Sequence, residues 1–452
     1  MKQPNKIKHI TKTTKNGAKI LVLNTNPVIN PEAEAMLQAL HSRSVGGINK
    51  HLQVLAKRGA DNFMSTYYVG YGHKSIGDLG SASIFIEGVS MLAAKAIQDW
   101  PLYSGQEAST RYIDFTKQSF INPLKNKMGE KILENWRTFY LNGLKELQPQ
   151  LKEKFPRQKN EDEKIYNKAI AARSFDIMRS FLPAGASTNL AWHSNLRQFN
   201  DKLTLLRHHP LAEVKEIAEI AEKALAEAFP NSFNFERFEK TENYNKKMAE
   251  IYTYFNDKQP TDFQLTTDTI DRQKLKDYEP ALRQRPPKTE LPKILAECGQ
   301  VGFKFLLDFG SFRDIQRHRA VTQRMPLLTT DHGFADWYLK EMGDDLAQTA
   351  KKVIKSQTTA IKKLTNNPLI KQYYAAMGFN TTNQVTGNLS ALVYLIELRS
   401  TRFVHPTLRR RAHQMAQVLT ELFADHGLVL HLDKNPDRFD IRRGLQDIVI
   451  KN

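Results

Sequence analysis

The order of amphipathic segments along this chain recurs once, and that long-period repeat constrains the fold more than any other feature of the sequence. In the first half, IFIEGVSMLAAKAIQDW leads into PLYSGQEASTRYIDF, and SFLPAGASTNLAWHSNLRQFNDKLTLLRHH leads on to LAEVKEIAEIAEKALAEAF. In the second half, VGFKFLLDFGSFRDIQRHR leads into AVTQRMPLLTTDHGF, and MGFNTTNQVTGNLSALVYLIELRS leads into VHPTLRRRAHQMAQVLTELF. Val89, Leu92, Ala93, Ala96 and Ile97 share one helical face, as do Leu389, Leu392, Val393 and Ile396. These are core positions. At 452 residues the chain exceeds what one core supports, so two domains of roughly 200 residues each are expected. The stretch between the halves is polar and proline-punctuated, with KTENYNKKM, NDKQPTD and LRQRPPKTE. Within it FQLTTDTI alternates as a strand does, so the region reads as a linker plus the strand that opens the second domain. The expected boundaries are a disordered basic tail over 1–18, a first domain over 19–240, the linker over 241–288 and a second domain over 289–452.

No run of about 18 apolar residues occurs, so no membrane-spanning helix is expected. The start, MKQPNKIKHITKTTKNGAK, is basic but lacks the apolar stretch of a secretory signal, and a cytoplasmic protein is expected. One cysteine, Cys298, excludes an internal disulfide framework and any multi-cysteine metal site. Its setting in LPKILAECGQVGF suits a buried structural thiol better than a nucleophile. A net charge of +18 points to anionic partners without choosing among nucleic acid, a membrane surface and phosphorylated small molecules.

Two clusters carry reactive groups. The denser is Asp314, Arg317, His318 and Arg319 in RDIQRHR, at the end of an apolar helical run. Neighbours along a helix diverge by about 100 degrees, so the three residues of RHR cannot share one face, yet at a helix end they can surround a ligand. Guanidinium is permanently charged, forks onto phosphates and stacks on flat rings. Taken alone, RHR reads first as a basic surface or an RNA-binding helix. The second cluster is Glu107, Ser109, Thr110 and Arg111 in GQEASTRY, and taken alone it reads as a loop with a solvent salt bridge.

In this order and context the two clusters resemble the flavin-dependent thymidylate synthases, whose signature is RHR followed within about 14 residues by SxR and an aromatic. The first half holds the frame of that family in GHKSIGDLGSASIFIEGVSMLAAKAIQDWPLYSGQEASTRY, but Asp99, Trp100 and Pro101 stand in place of RHR. The second half keeps Arg317, His318 and Arg319, while Met325, Leu327 and Thr329 stand where the glutamate, serine and arginine of the other loop belong. Arg179 in MRSFLP fits the family's arginine before an LP pair, and the second half has none near Gln372. Asn388 and Arg399 keep the spacing of the family's flavin-contact asparagine and uracil-binding arginine, with Ser390 in place of an arginine. In the first half Asn195, Arg197 and Arg207 are one residue too far apart and read as structural remnants.

The resemblance implies an α+β fold in two tandem copies, each a small mixed sheet with long helices. It implies a methyltransferase that converts dUMP to dTMP with methylenetetrahydrofolate and NADPH as co-substrates and FAD as cofactor. The nucleotide would be held by Glu107, Ser109, Thr110, Arg111, Arg179, Asp314, Arg317 and Arg399, with Ser109 and Arg399 catalytic. The flavin would be held by Ser75, Glu107, Arg317, His318, Arg319, Asn388, Ser390, Tyr394 and His405. Asp314 stands where the family usually has glutamine, and His405 at a helix start is the other reading of that residue. The resemblance implies no metal. Sites built across subunits further imply a homodimer of fused chains imitating a homotetramer, with two working and two vacant sites. All the expected ligands are anions, which gives the basic balance a reading other than nucleic-acid binding.

Overall fold

The computed structural model describes residues 9–23, 29–43, 47–110 and 113–435. Among these residues the architecture is α+β, built on two small sheets, as expected of a twice-repeated fold. Both named sheets are antiparallel throughout, which corrects the expectation of mixed sheets. The first sheet has the order β1(His9–Thr13), β2(Lys19–Leu23), β3(Ser81–Ser90), β5(Ser187–Asn195), β4(Ser104–Glu107). Only 14–18 separate β1 from β2, too short for the crossover that a parallel pair requires. His9–Thr13 falls within the expected disordered tail, yet its alternating residues pair with KILVL of β2, while residues 1–8 lie outside the described set. The second sheet has the order β6(Phe263–Asp268), β7(Val301–Asp308), β9(Asn380–Gly387), β8(Thr322–Gln323). The strand expected in FQLTTDTI is β6.

The repeat is visible in how strands feed helices. Strand β3 ends at Ser90, whose Oγ accepts from the Ala93 amide at 3.0 Å and caps the helix Met91–Gln98. Strand β7 ends at Asp308, which accepts from the Ser311 amide at 2.9 Å and caps the helix Phe309–Ile315. Asn195 caps the helix Leu196–Leu206 after β5, and Asn388 caps Leu389–Arg399 after β9. Each such cap satisfies an otherwise orphaned amide and is worth about 1 kcal/mol. Behind these helices run Ala212–Ala228 in the first half and Pro406–Phe423 in the second.

The described residues form two compact units that are each discontinuous in sequence. One comprises the residues up to Ile113 together with Ser187–Thr253; the other comprises Asp114–Ala186 and the residues from Tyr254 onward. The second unit therefore draws two helices, Lys127–Lys154 and Glu163–Met178, from the first half of the sequence. They are held there by the helix Asp344–Leu364 and by buried aromatic residues. Trp136 donates to the Tyr374 carbonyl at 2.9 Å, Gln357 donates to the Ile132 carbonyl at 2.7 Å, and the Phe181 ring stacks on Phe334 at 4.9 Å. The stretch between the halves contains the helix Glu239–Tyr252, which belongs to the first unit. No described helix is long and apolar enough to cross a membrane.

Candidate active site

In the second unit the short helix Phe309–Ile315 delivers Asp314 and then Arg317 to Arg319 at its C-terminal end, while Leu389–Arg399 ends on Arg399 beside them. Arg399 donates from Nε to His318 Nε2 at 2.7 Å and from Nη2 to the Asp314 carbonyl at 2.8 Å. Guanidinium has no acceptor. His318 Nε2 is therefore the unprotonated nitrogen, and the ring is the neutral Nδ1–H tautomer. Burial pushes the His318 pKa down to about 3, and Arg399 and Arg317 add to this against the opposing pull of Asp314. Burial likewise lowers the Arg399 pKa, which still leaves a guanidinium charged at any physiological pH.

Arg179 joins this cluster from the helix Glu163–Met178, whose end tightens into the turn Arg179–Phe181. Burial raises the pKa of the Asp314 carboxyl, but Arg179, Arg317, Arg399 and Arg313 together outweigh burial and hold it below the usual carboxylate range. The charge of Arg179 is the largest of the four influences. Its own guanidinium lies 3.9 Å from the buried carboxylate of Asp176. Arg317 lies 3.8 Å from Asp314 and is 61 % exposed, and Arg319 is exposed. Tyr394, also exposed, meets the His318 ring edge to face at 5.9 Å.

Three sequence-predicted flavin contacts are engaged elsewhere. Asn388 Oδ1 accepts from the Ala391 amide as a helix cap, and Ser390 donates to the Leu291 carbonyl at 2.8 Å. His405 stands at the start of Pro406–Phe423 without a side-chain capping bond, is buried against Trp337 and Tyr338, and exchanges hydrogen bonds with Ser311 at 3.3 Å and Thr407 at 2.9 Å. It thus sits near the opposite end of Phe309–Ile315 from the arginine cluster. There Asp308 accepts from Tyr338 at 2.7 Å and Thr407 at 2.6 Å, beside a cavity of about 450 Å³ whose lining includes Trp337, Lys340 and Arg411.

In the first unit β4 ends on Glu107, and Ser109 follows, exposed, with Thr110 buried; Arg111 lies outside the described residues. The Glu107 carboxylate is 2.7 Å from Lys95 Nζ, both side chains being about 2 % exposed or less, and it also accepts from Gln98 at 3.0 Å. Sequence reasoning missed Lys95. Its signal was a single cation in the otherwise apolar helix MLAAKAIQ. Ser75 is exposed on the turn Lys74–Asp78. Where the second half has RHR, the first has Trp100, which donates to Gln198 at 3.0 Å with Lys202 Nζ 5.7 Å from its ring centre. Arg207 forks onto Glu242 at 2.6 and 2.9 Å. Cys298 is buried, and burial raises its thiol pKa.

Residues 28–231, a little under half of the chain, match the family model Thy1, described as thymidylate synthase complementing protein. The resemblance read from the sequence is thereby borne out for that segment. A UPF0159 protein of Chlamydia pneumoniae is 25% identical over 407 residues, covering 77% of this chain and 76% of that protein. A UPF0159 protein of Chlamydia muridarum is 25% identical over 408 residues, with 77% and 76% covered. A UPF0159 protein of Thermoplasma acidophilum is 23% identical over 426 residues, with 79% and 85% covered. These matches run longer than either half of the chain.

Proposed function

From the Thy1 match and the arginine cluster, we propose that this chain is a flavin-dependent thymidylate synthase that methylates dUMP to dTMP with methylenetetrahydrofolate and NADPH. The observation that carries the reading is the convergence of Arg179, Asp314, Arg317, His318 and Arg399 in one compact unit, although Arg179 comes from the opposite half of the sequence. Arg179, Arg313, Arg317 and Arg399 set against Asp314 and Asp176 leave two net positive charges, which suits a nucleotide phosphate carrying about −1.5 to −2.

FAD, when bound, carries the hydride from NADPH. The exposed guanidiniums of Arg317 and Arg319 suit its diphosphate, and the exposed Tyr394 ring beside them suits its flat ring system. Arg179 and Arg111 would clamp the phosphate of dUMP, with Ser109 on the loop that follows β4 and Ser75 reaching the flavin from a neighbouring copy, while Glu107, paired with Lys95, would support that loop. Arg399 would stabilise the negative charge that develops as the uracil ring loses its imide proton. No cysteine thiolate is required, consistent with the raised pKa and burial of Cys298. A homodimer would bring the loop of one first half to the arginine cluster of a second half.

The purified protein should be yellow, and it should release tritium from dUMP labelled at carbon 5 only with NADPH and flavin present. A colourless protein that never releases label refutes the assignment. Ser109→Ala and Arg317→Ala should cripple turnover, whereas Leu327→Ala should change it only through packing; an equally dead but folded Leu327→Ala protein would overturn the division of labour. One observation favours a second reading, in which another pyrimidine nucleotide is modified: the ionised Asp314 can only accept hydrogen bonds, whereas the family's glutamine also donates. Flavin absorbance that responds to UMP or a related nucleotide but not to dUMP would select it.

A further inference from the structure

We propose that His318 is a positioning residue, whose unprotonated Nε2 fixes the Arg399 guanidinium. The inference rests on the reading of Arg399 as the group that stabilises the uracil anion. Arg399 is the last residue of its helix, and its long side chain would otherwise sample many rotamers. Two hydrogen bonds hold it, from Nε to His318 and from Nη2 to the Asp314 carbonyl. Both acceptors come from the same turn. A guanidinium has five N–H groups. These two bonds therefore orient the plane and leave the remaining donors for a ligand.

The histidine is suited to this role. Its ring is buried, with 6 % of the residue exposed, whereas Arg317 and Arg319 on either side of it are exposed. Its backbone is pinned on both sides: the amide donates to the Ile315 carbonyl at 3.0 Å, and the carbonyl accepts from Gln323 at 2.8 Å. The Tyr394 ring stands against it edge to face. An Nε2 that accepts from a guanidinium has no proton to offer, so the ring's one donor is Nδ1–H. RHR is thus read as two outward cations flanking one inward acceptor.

The first half of the chain supplies an internal comparison. Trp100 occupies the place of His318, and its indole nitrogen can only donate, which it does to Gln198. Eleven residues after Asn195, in the place of Arg399, stands Leu206, which is buried. Where the acceptor is absent, so is the arginine.

Replacing the acceptor should move the reaction but not the ligands. His318→Phe keeps a buried ring and should lower kcat about 10–100-fold, the scale expected when a catalytic group is misplaced by about 1 Å. The KM for dUMP and the affinity for flavin should change less than about threefold. His318→Gln, whose side-chain oxygen can take the place of Nε2, should recover most of kcat. In an Arg399→Lys background, His318→Phe should cost little more. A glutamine variant as slow as the phenylalanine variant, or a phenylalanine variant that loses flavin while keeping kcat when saturated with it, overturns the proposal. Nitrogen-15 NMR of histidine-labelled protein, with the His318 signals identified by their loss in His318→Gln, provides a reading independent of turnover. An unprotonated Nε2 and a protonated Nδ1 at neutral pH are expected, and an imidazolium or the opposite tautomer overturns the proposal. A wild-type protein without thymidylate synthase activity refutes the functional reading alone, since the imidazole measurement still decides whether His318 is the acceptor.

Discussion

Glu107→Gln separates a ligand-facing glutamate from a buried structural one. The Glu107 carboxylate lies 2.7 Å from Lys95 Nζ with both side chains nearly inaccessible, so the substitution removes a buried countercharge from an ammonium that also donates to Gln98 at 2.8 Å. Breaking a buried pair in this way costs about 3–5 kcal/mol. For a unit of roughly 200 residues that corresponds to a fall in melting temperature of about 6–20 °C. Replacing both partners with apolar residues, Lys95→Met with Glu107→Leu, removes the stranded charge and should recover most of the loss. Thermal and urea denaturation of Lys95→Met, Glu107→Leu and the double variant would give the coupling directly, and dUMP titration of each and of Glu107→Gln would report ligand binding. If Glu107→Gln melts within about 2 °C of the parent while dUMP affinity collapses, the carboxylate serves the ligand first and the reasoning from burial fails. The location matters because Ser109 follows two residues later, so loosening Glu107 should also blur the loop that carries Ser109.

Three further outcomes are expected. Arg399→Gln should lower kcat about 100–1000-fold, the scale of losing a positioned donor to a developing anion, while the protein stays yellow; undiminished turnover would remove Arg399 from the reaction. Acid should destabilise both units: burial first of all depresses His318 and His209 to about 3, so the unfolded chain binds more protons than the folded one between about pH 6.5 and 3. Urea midpoints should therefore fall as pH drops through that window, and His318→Gln should flatten the fall in the second unit, where an unchanged slope would contradict its neutral burial. Cys298→Ala should keep turnover within about twofold and thiol alkylation of the folded protein should be slow; loss of activity would implicate a thiol nucleophile.

Much of the local architecture was legible in the sequence. The recurrence of apolar segments specified two copies of one fold, alternation in FQLTTDTI marked β6, and the isolated cysteine in an apolar helical setting marked a buried thiol. The motif RHR with Arg399 eighty residues later pointed to the cluster that the structure assembles. Period and spacing suffice for such features because neighbouring residues determine which face of an element is apolar and which groups lie at its end.

Long-range packing settled the rest. Arg179 was grouped with the loop of its own half, yet the helices Lys127–Lys154 and Glu163–Met178 pack into the second unit and bring it to Asp314. No local pattern encodes that choice, because a helix with an apolar face can bury it against any complementary surface. Glu107, Asn388, Ser390 and His405 are polar residues at plausible sites, and only their partners distinguish a ligand contact from a cap or a buried pair. The sequence by itself determined which elements form and which cations are available. The tertiary structure decided which of them converge and that His318 is a neutral acceptor, because protonation and orientation depend on the groups that burial brings together.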